Sequence, residues 1–337
     1  MSRVADASVV LAADVGGTKT RFGLFRTDGD ALHAVYEQRV PSDRQVGFAE
    51  LMQRFLSARP DAPPRAACFA VAGPVLGERV AMTNHPWVLD ARELSAAAGG
   101  VPVRIVNDLA ATAVAMPFLP ASSLVPLAPP PTPAPRGHVA VVGPGTGLGC
   151  ATLYWDGARH HPLASEGGHG DFAPRTEREV ALWHYLRERH EHVSWERVLS
   201  GPGIVTIYEF LRDACGIAES AAVRADLATA PDRAARISRA ALEEGDGLAS
   251  ATLDLFASVL GAKAGNLALD VLALGGVFIA GGIPPKILPA LTRGTLYDAF
   301  VAKGRQRELM ARMPLQISLE PAAALLGAAR LASAALG

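Results

Sequence analysis

Cysteine is scarce in this chain of 337 residues. Only Cys68, Cys150 and Cys215 occur, far apart and without a C-x-x-C pair. An odd number of widely spaced thiols provides neither a disulfide framework nor a zinc site, and it is typical of a reducing compartment. The first eight residues also lack the basic and apolar segments of a signal peptide. We therefore expect a cytoplasmic protein without structural zinc.

Long hydrophobic runs and clustered charge of one sign are missing as well. The longest apolar stretches, such as 271–283, are rich in glycine and shorter than the roughly 20 residues that a bilayer requires. The basic residues are dispersed and the formal net charge is -1, so we expect no membrane span and no nucleic acid partner. Since 50% of the residues are hydrophobic, the chain can bury a large core, and its length allows two domains.

The opening stretch 9–25 predicts a β-hairpin, because an apolar run enters a turn with two glycines and alternating apolar residues follow. A dinucleotide fold requires G-x-G-x-x-G at the start of a helix, and a P-loop requires G-x-x-x-x-G-K-[ST]; neither pattern occurs here. Two interpretations remain open. The turn is an ordinary tight hairpin, or the backbone of Gly16 and Gly17, with Asp14 and Thr18, faces a phosphate and its metal.

Strand and helix signals alternate along the chain, which favours an α/β architecture with mixed sheets. A proline-rich connector, 128–137, separates the first half from a second strand–turn–strand pattern, whose turn contains Gly145, Thr146 and Gly147. The chain therefore resembles two related halves. Helical periodicity predicts helices over 176–190, 194–199, 204–213, 232–244 and 247–272, and a further helix opening at Pro284-Pro285.

Asn107 and Asp108 follow directly after a predicted strand and precede an alanine-rich helix. One interpretation makes Asp108 the N-cap of that helix, which needs no further function. The other makes Asp108 a general base that takes a proton from a substrate hydroxyl beside a phosphoryl donor.

A second polar group lies in the stretch 163–171, where Glu166, His169 and Asp171 surround three glycines. With the upstream His160 and His161 a metal site has to be considered, but the spacing fits no helical ligand pair and no cysteine is near. We favour a loop whose carboxylate and imidazole bind several hydroxyls of a polar ligand. Glu196 either joins this group or is a solvated residue paired with Arg197. Together these features favour an ATP-dependent sugar kinase.

The same residues form motifs found, in this order and at this approximate spacing, in bacterial glucokinases of the hexokinase and actin superfamily. The resemblance covers nearly the whole chain. It rests on seven motifs: Asp14-Val-Gly-Gly-Thr18, Ala81-Met-Thr-Asn-His85, Ile105-Val-Asn107-Asp108, Gly145-Thr-Gly-Leu-Gly149, Glu166-Gly-Gly-His169, Glu196-Arg-Val-Leu-Ser-Gly-Pro-Gly203 and Gly276-Val-Phe-Ile-Ala-Gly-Gly282.

The resemblance implies a role for each matching residue. Asp108 is similar to the base that deprotonates the sugar 6-hydroxyl, and the other sugar ligands would be Asn107, Glu166, His169 and Glu196. Two turns resemble phosphate loops, one with Asp14, Gly16, Gly17 and Thr18 and the other with Gly145, Thr146 and Gly147. Asp14 would also lie near Mg2+ and contact it through water. Gly281 and Gly282 would form the turn on the adenosine side of the nucleotide. Lys19 differs from the asparagine common at this position.

For the whole chain, the resemblance implies an actin-like ATPase (ribonuclease H-like) fold with mixed sheets flanked by helices. Its two domains, 1–118 with 318–337 and 119–317, would close a cleft over the sugar. It also implies a cytoplasmic homodimer that phosphorylates glucose with ATP and Mg2+. The alternatives are a kinase for mannose or an N-acyl hexosamine, ADP or polyphosphate as donor, and a non-catalytic sugar sensor. The cysteine-rich zinc motif of the related repressors and an N-terminal helix-turn-helix are absent, so we expect no transcriptional regulator.

Overall fold

The computed structural model describes residues 8–29, 31–83, 85–129 and 136–336. These residues form two compact units. The first unit contains the residues up to Leu119, His161–Ala164 and the residues from Pro321 onward, and the second contains Pro120–His160 and Ser165–Glu320. Both units combine β-sheet with flanking helices, which confirms the predicted α/β fold class.

The strands, in chain order, are β1 (Val9–Val15), β2 (Lys19–Asp28), β3 (Ala31–Pro41), β4 (Ala66–Val71), β5 (Arg79–Ala81), β6 (Val88–Asp90), β7 (Val103–Asn107), β8 (Leu124–Pro126), β9 (Val139–Pro144), β10 (Leu148–Trp155), β11 (His160–Ser165), β12 (Gly276–Ile279) and β13 (Leu315–Ser318). The α-helices are α1 (Phe48–Ser57), α2 (Ala91–Ala97), α3 (Asp108–Ala115), α4 (Glu177–Arg187), α5 (Gly201–Asp213), α6 (Ala221–Leu227), α7 (Arg233–Leu242), α8 (Gly247–Val271), α9 (Leu288–Leu291), α10 (Thr295–Val301), α11 (Arg307–Ala311) and α12 (Ala323–Ser333). Short 3-10 turns occupy Met116–Phe118, Ala121–Ser123, Trp195–Arg197, Pro284–Ile287 and Gly304–Gln306.

The first unit is built on a five-stranded sheet with the order β3-β2-β1-β4-β7. Strands β1 and β2 form the predicted hairpin, and β1, β4 and β7 run parallel. Val15 at the end of β1 lies opposite Val71, which lies opposite Asn107 at the end of β7. The carboxyl ends of the three parallel strands therefore meet at one sheet edge, which is where ligands bind in open α/β sheets.

Both faces of this sheet are covered because its central strands are apolar on both sides. On one face, Phe22 stacks on Phe48 and Phe55 of helix α1, with ring centroids 5.5 and 5.1 Å apart. On the other face, Val10 and Ala12 pack with Ala111 of α3 and Leu325 of α12. Packing on both faces holds the functional sheet edge in place.

The second unit contains a sheet whose strands have the order β10-β9-β12-β13-β8. Strands β9 and β10 form the second predicted hairpin, while β9, β12 and β13 are parallel. The 25-residue helix α8 is the central helix of the core, with buried side chains that include Leu253, Phe256 and Leu260. No helix of the described residues is long and apolar enough to cross a membrane.

One helix prediction was wrong, because the stretch 194–199 contains a single 3-10 turn, Trp195–Arg197, and not an α-helix. The helix predicted to open at Pro284-Pro285 begins as the 3-10 turn Pro284–Ile287 and continues directly into α9. Of the two interpretations of Asp108, the N-cap does not hold, because the N-cap of α3 is Asn107. The strands β6, β8 and β11 were not anticipated. Asn84 and residues 130–135 of the proline connector lie outside the described residues.

Candidate active site

The first glycine turn joins β1 to β2 and carries Gly16, Gly17 and Thr18. The backbone N–H of Gly16 donates to the carbonyl of Lys19 at 3.1 Å, which closes the turn. Thr18 and Lys19 are exposed, so both side chains are accessible to a ligand. The tight hairpin is therefore present, with its polar groups at the functional sheet edge of the first unit.

A buried group of side chains supports this turn from the end of β3. The Ser42 hydroxyl donates to the Gly16 carbonyl at 2.7 Å and shares a hydrogen bond of 2.9 Å with the Thr20 hydroxyl. The Ser42 N–H donates to the Thr18 carbonyl at 3.0 Å. His85 Nε2 in turn donates to the Ser42 carbonyl at 3.1 Å. The sequence analysis missed Ser42, which lies 26 residues from Gly16.

Asp14 lies on β1 opposite Arg21 on β2, two residues before the first glycine of the turn. Burial raises the pKa of the Asp14 carboxyl group, and the positive charges of Arg21 and Arg39 act in the opposite direction. A carboxylate whose negative charge is disfavoured by burial becomes more stable when a cation binds beside it. Asp14 is therefore a candidate ligand for a hard cation.

Asn107 and Asp108 lie at the same sheet edge, where β7 passes into α3. The Asn107 side chain caps the helix, because Oδ1 accepts from the N–H groups of Leu109 and Ala110 at 3.0 and 3.1 Å. Its amide nitrogen donates to Gly73 O at 3.1 Å. Asp108 is the first helical residue, and its Oδ1 accepts from Leu109 N–H at 2.8 Å. The Asp108 carboxyl group thus lies at the positive end of the helix.

The second unit brings together three of the predicted sugar-binding side chains. His169 Nε2 lies 3.9 Å from Glu166 Oε2, and His169 Nδ1 lies 3.9 Å from Glu196 Oε1. The exposed fractions of the side chains are 59% for His169, 55% for Glu166 and 33% for Glu196, so all three are accessible from solvent. Glu196 is distant from Glu166 and His169 in the sequence, and the fold brings the three side chains close together.

The loop that carries Glu166 and His169, residues 166–170, is held from beneath by the unit's core. Buried Lys263 of α8 donates from Nζ to the Gly167 carbonyl at 3.0 Å and lies over the Trp195 ring, 5.5 Å from its centroid. This lysine was also missed, because a single cation in an apolar helix gives no sequence signal of its role.

The second glycine turn, Gly145–Gly147, joins β9 to β10 and is closed by Gly145 N–H donating to Gly147 O at 2.8 Å. Glu196 Oε2 accepts from the N–H of Leu148, the residue after the turn, at 2.9 Å. A Cβ at position 147 would meet this carboxylate oxygen, so a larger residue there would displace the Glu196 carboxylate. The turn therefore contacts one of the predicted sugar ligands.

Gly281 and Gly282 follow β12 at the same end of the second sheet. Gly281 has a φ of 89°, a left-handed conformation that favours glycine, and a Cβ there would meet the Pro144 carbonyl. Gly145, Thr146 and Gly282 line one cavity of about 780 Å³. Gly282 of the predicted adenosine-side turn thus lines the same cavity as the second glycine turn.

One wall of this cavity comes from α7, whose periodicity predicted only core packing. Arg233, Ser238 and Arg239 of this helix line the cavity, together with Ile204 of α5 and Lys286. Arg233 and Arg239 are six residues apart, which separates them by about 120° around an ideal helix, so their spacing did not indicate a shared polar site.

No group of three or more His, Cys, Asp or Glu side chains among the described residues could hold a metal ion by itself. The upstream histidine His160 donates from Nε2 to the Gly137 carbonyl at 3.0 Å. His160 is therefore engaged with the backbone.

Comparison with known proteins decides the family. A family model described as Glucokinase matches residues 11–335. The chain belongs to the glucokinase family. This membership confirms the resemblance of the sequence motifs and identifies the protein as a kinase, an enzyme of the glucokinase type.

Individual glucokinases agree with this assignment over their whole length. The glucokinase of Nostoc punctiforme is 40% identical over 339 residues, covering 97% of this chain and 99% of the relative. A solved glucokinase from an Antarctic psychrotroph has a TM-score of 0.85 at 34% identity, covering 97% and 99% of the two chains. The glucokinase of Balamuthia mandrillaris, solved with glucose, has a TM-score of 0.76 over 98% and 95% of the chains, but at 24% identity it supports the fold alone.

Proposed function

We propose that this glucokinase-family enzyme transfers the γ-phosphoryl group of ATP to the 6-hydroxyl of glucose. The observation that supports this most is the convergence of Glu166, His169 and Glu196 beside a glycine turn. Two carboxylates and an imidazole match the adjacent hydroxyls of a sugar, because carboxylates accept and the ring both donates and accepts. In the first unit, Asn107 and Asp108 would bind further hydroxyls; one N–H of the Asn107 amide already donates to Gly73 O.

Asp108 is proposed as the general base. Its carboxyl group lies at a sheet edge and at a helix N-terminus, where the helix dipole favours the charged form that can take a proton. Phosphoryl transfer needs little covalent help from the protein, so positioning and one proton acceptor are sufficient.

The two glycine turns and Gly281–Gly282 are proposed to bind the nucleotide. Backbone N–H groups of glycine turns hold phosphates, and the cavity of about 780 Å³ beside the second turn lies within the common range for ligand sites. Its apolar wall, with Ile204, would suit the base, and Lys286 and Arg239 supply positive charge.

Mg2+ fits the residues of the first unit. It prefers oxygen ligands and is commonly held by one or two carboxylates together with substrate phosphates and water. Asp14, with its raised pKa, supplies such a carboxylate at the sheet edge. When bound, the ion would neutralise charge on the phosphate oxygens.

We further propose that the two units act as domains that close over the substrates. The predicted ranges 1–118 with 318–337 and 119–317 are supported by the division of the chain into two compact units. Closure would exclude water, which competes with the sugar as phosphoryl acceptor. Pairing as a homodimer and a cytoplasmic location stay predictions, which light scattering and cell fractionation can test; the free thiols Cys68, Cys150 and Cys215 suit a reducing compartment.

The decisive experiment is glucose-dependent release of ADP by the purified protein in a coupled assay. We expect turnover with ATP and glucose that requires Mg2+. Parallel assays with mannose, N-acetylglucosamine, ADP and polyphosphate measure the specificity for acceptor and donor. Lack of ADP release with every sugar would contradict the proposal and favour a sugar sensor.

A further inference from the structure

One short segment of the second unit contacts both the sugar-binding loop and the second glycine turn. This bridging segment, Trp195–Gly201, starts with the 3-10 turn Trp195–Arg197 and ends at the first residue of α5. Toward the loop, Trp195 N–H donates to Gly170 O at 3.0 Å and Glu196 N–H donates to Gly168 O at 2.9 Å. The segment therefore supports the backbone of the loop that carries Glu166 and His169.

The same segment holds both sides of the second glycine turn. Glu196 Oε2 accepts from Leu148 N–H at 2.9 Å, on the side where the turn enters β10. Gly201 N–H donates to Gly145 O at 2.9 Å, on the side where the turn leaves β9. Two hydrogen bonds from one segment thus determine where the turn lies.

The bridging segment is itself well anchored. The Ser200 hydroxyl donates to Glu196 O at 2.7 Å and accepts from Gly203 N–H at 3.1 Å. Val198, Leu199 and Ser200 are buried. Hydrogen bonds and burial therefore hold the segment in place between its two contacts.

The two oxygens of the Glu196 carboxylate face different groups. Oε2 is engaged by the Leu148 N–H, whereas Oε1 lies 3.9 Å from His169 Nδ1, among the sugar-binding side chains. A hydrogen bond to a carboxylate is stronger than one between neutral groups. Any ligand that draws the carboxylate toward His169 also changes its bond to the turn.

We propose that Glu196 is a positioning residue of the second phosphate turn as well as a sugar ligand, so that sugar and nucleotide affinities are coupled through its carboxylate. This inference rests on the proposed function. Coupling of binding free energies is reciprocal, so bound sugar and bound nucleotide must change each other's affinity by the same factor. A substitution at the turn that displaces the Glu196 carboxylate should weaken sugar binding, and loss of that carboxylate should weaken nucleotide binding.

The first half of the test measures glucose affinity by calorimetry without nucleotide. Gly147→Ala places a methyl group against Glu196 Oε2, whereas a Cβ at Gly145, in the same turn, meets nothing within 4 Å. We expect Gly147→Ala to weaken glucose binding about tenfold, a loss typical of one charged hydrogen bond. Gly145→Ala, the matched control, should stay within about twofold of wild type. Equal effects of the two variants, or none, would overturn the inference.

The second half measures affinity for a non-hydrolysable ATP analogue without sugar. Glu196→Ala should weaken it about tenfold, since the Leu148 N–H loses its acceptor. Glu196→Gln keeps an acceptor oxygen and should retain most of the affinity. His169→Ala removes a sugar ligand that does not hold the turn, so it should bind the analogue like wild type.

The outcomes separate the two proposals. A Glu196→Ala variant with wild-type affinity for the analogue contradicts the inference alone, because the proposed function predicts only its weaker sugar binding. Wild-type protein that binds neither glucose nor the analogue contradicts the proposed function before any variant is made, and the inference with it. If Glu196→Ala fails to fold, Gly147→Ala against Gly145→Ala still decides the question.

Discussion

The two glycine turns have the same local form and different supports. Each connects antiparallel strands and is closed by a backbone hydrogen bond, Gly16 to Lys19 at 3.1 Å and Gly145 to Gly147 at 2.8 Å. The first turn is held by the neutral, buried hydroxyl of Ser42. The second is held by the part-exposed carboxylate of Glu196. The same strand–turn–strand pattern is therefore stabilised by different side chains in the two units.

This difference indicates that the two units have different roles in the reaction. The first turn shares its sheet edge with Asp14 and Asp108, the residues proposed to bind the cation and to accept the proton. The second turn shares Glu196 with the sugar-binding group. We expect changes in the first unit to act on turnover and changes in the second to act on sugar affinity.

The largest expected effect is that of Asp108→Ala in the first unit. Loss of a general base should lower kcat by about 10²–10⁴-fold. Glucose affinity, measured by calorimetry, should change little, because the second unit supplies three other sugar ligands. Asp108→Asn is the matched control for shape and should lose kcat to the same extent, since an amide takes no proton. A variant with wild-type kcat would contradict the assignment of the base.

Asp14→Asn should affect activity and stability in opposite directions. Activity should fall by about 10²-fold, because a neutral amide holds a cation poorly. Burial raises the folded pKa of Asp14 above its ordinary value of 3.8, so ionisation destabilises the folded chain as pH rises through that folded pKa. Without nucleotide, the variant should therefore gain thermal stability relative to wild type as the pH rises above about 4. A difference that stays constant as the pH rises would contradict the raised pKa.

His169→Ala tests the second unit. We expect KM for glucose to rise about tenfold or more, with a smaller change in kcat, since a hydrogen bond to the bound sugar is lost. His192→Ala is the control, because this side chain is equally exposed, at 57% against 59%, and pairs with Asp171 instead. Equal KM values for the two variants would show that exposed histidines near this loop have no specific role.

The smallest expected effect is that of Ser42→Ala. Removing its bonds to Gly16 and Thr20 should raise KM for ATP about threefold to tenfold and lower stability by about 1 kcal/mol, without changing glucose affinity. Ser57→Ala, which removes an exposed hydroxyl bond within α1, is the control. If Ser42→Ala also weakened glucose binding, the contrast between the two turns would be lost.

The sequence alone predicted most of the secondary structure of the site. Both hairpins and the strand that ends at Asn107 lie where the patterns placed them, because glycine turns and runs of apolar residues act over a few neighbouring residues. The helix predicted over 194–199 was wrong, because after one turn, closed by the N–H groups of Val198 and Leu199 donating to Trp195 O at 3.1 and 2.8 Å, the chain becomes extended at Ser200, the N-cap of α5. Strand β7 ends at Asn107, and for this reason Asn107 rather than Asp108 is the N-cap of α3.

What the sequence determined by itself is the family, the α/β class and the residue types of the site, since these depend on motif order and on local backbone preferences. Tertiary structure decided which of these residues act together. Glu196 reaches Leu148 across 48 residues, Ser42 reaches Gly16 across 26, and Lys263 reaches Gly167 across 96. Such pairs carry no local signal, because a hydrogen bond between distant residues forms only after the sheet and the packed core of their own unit have placed the two groups.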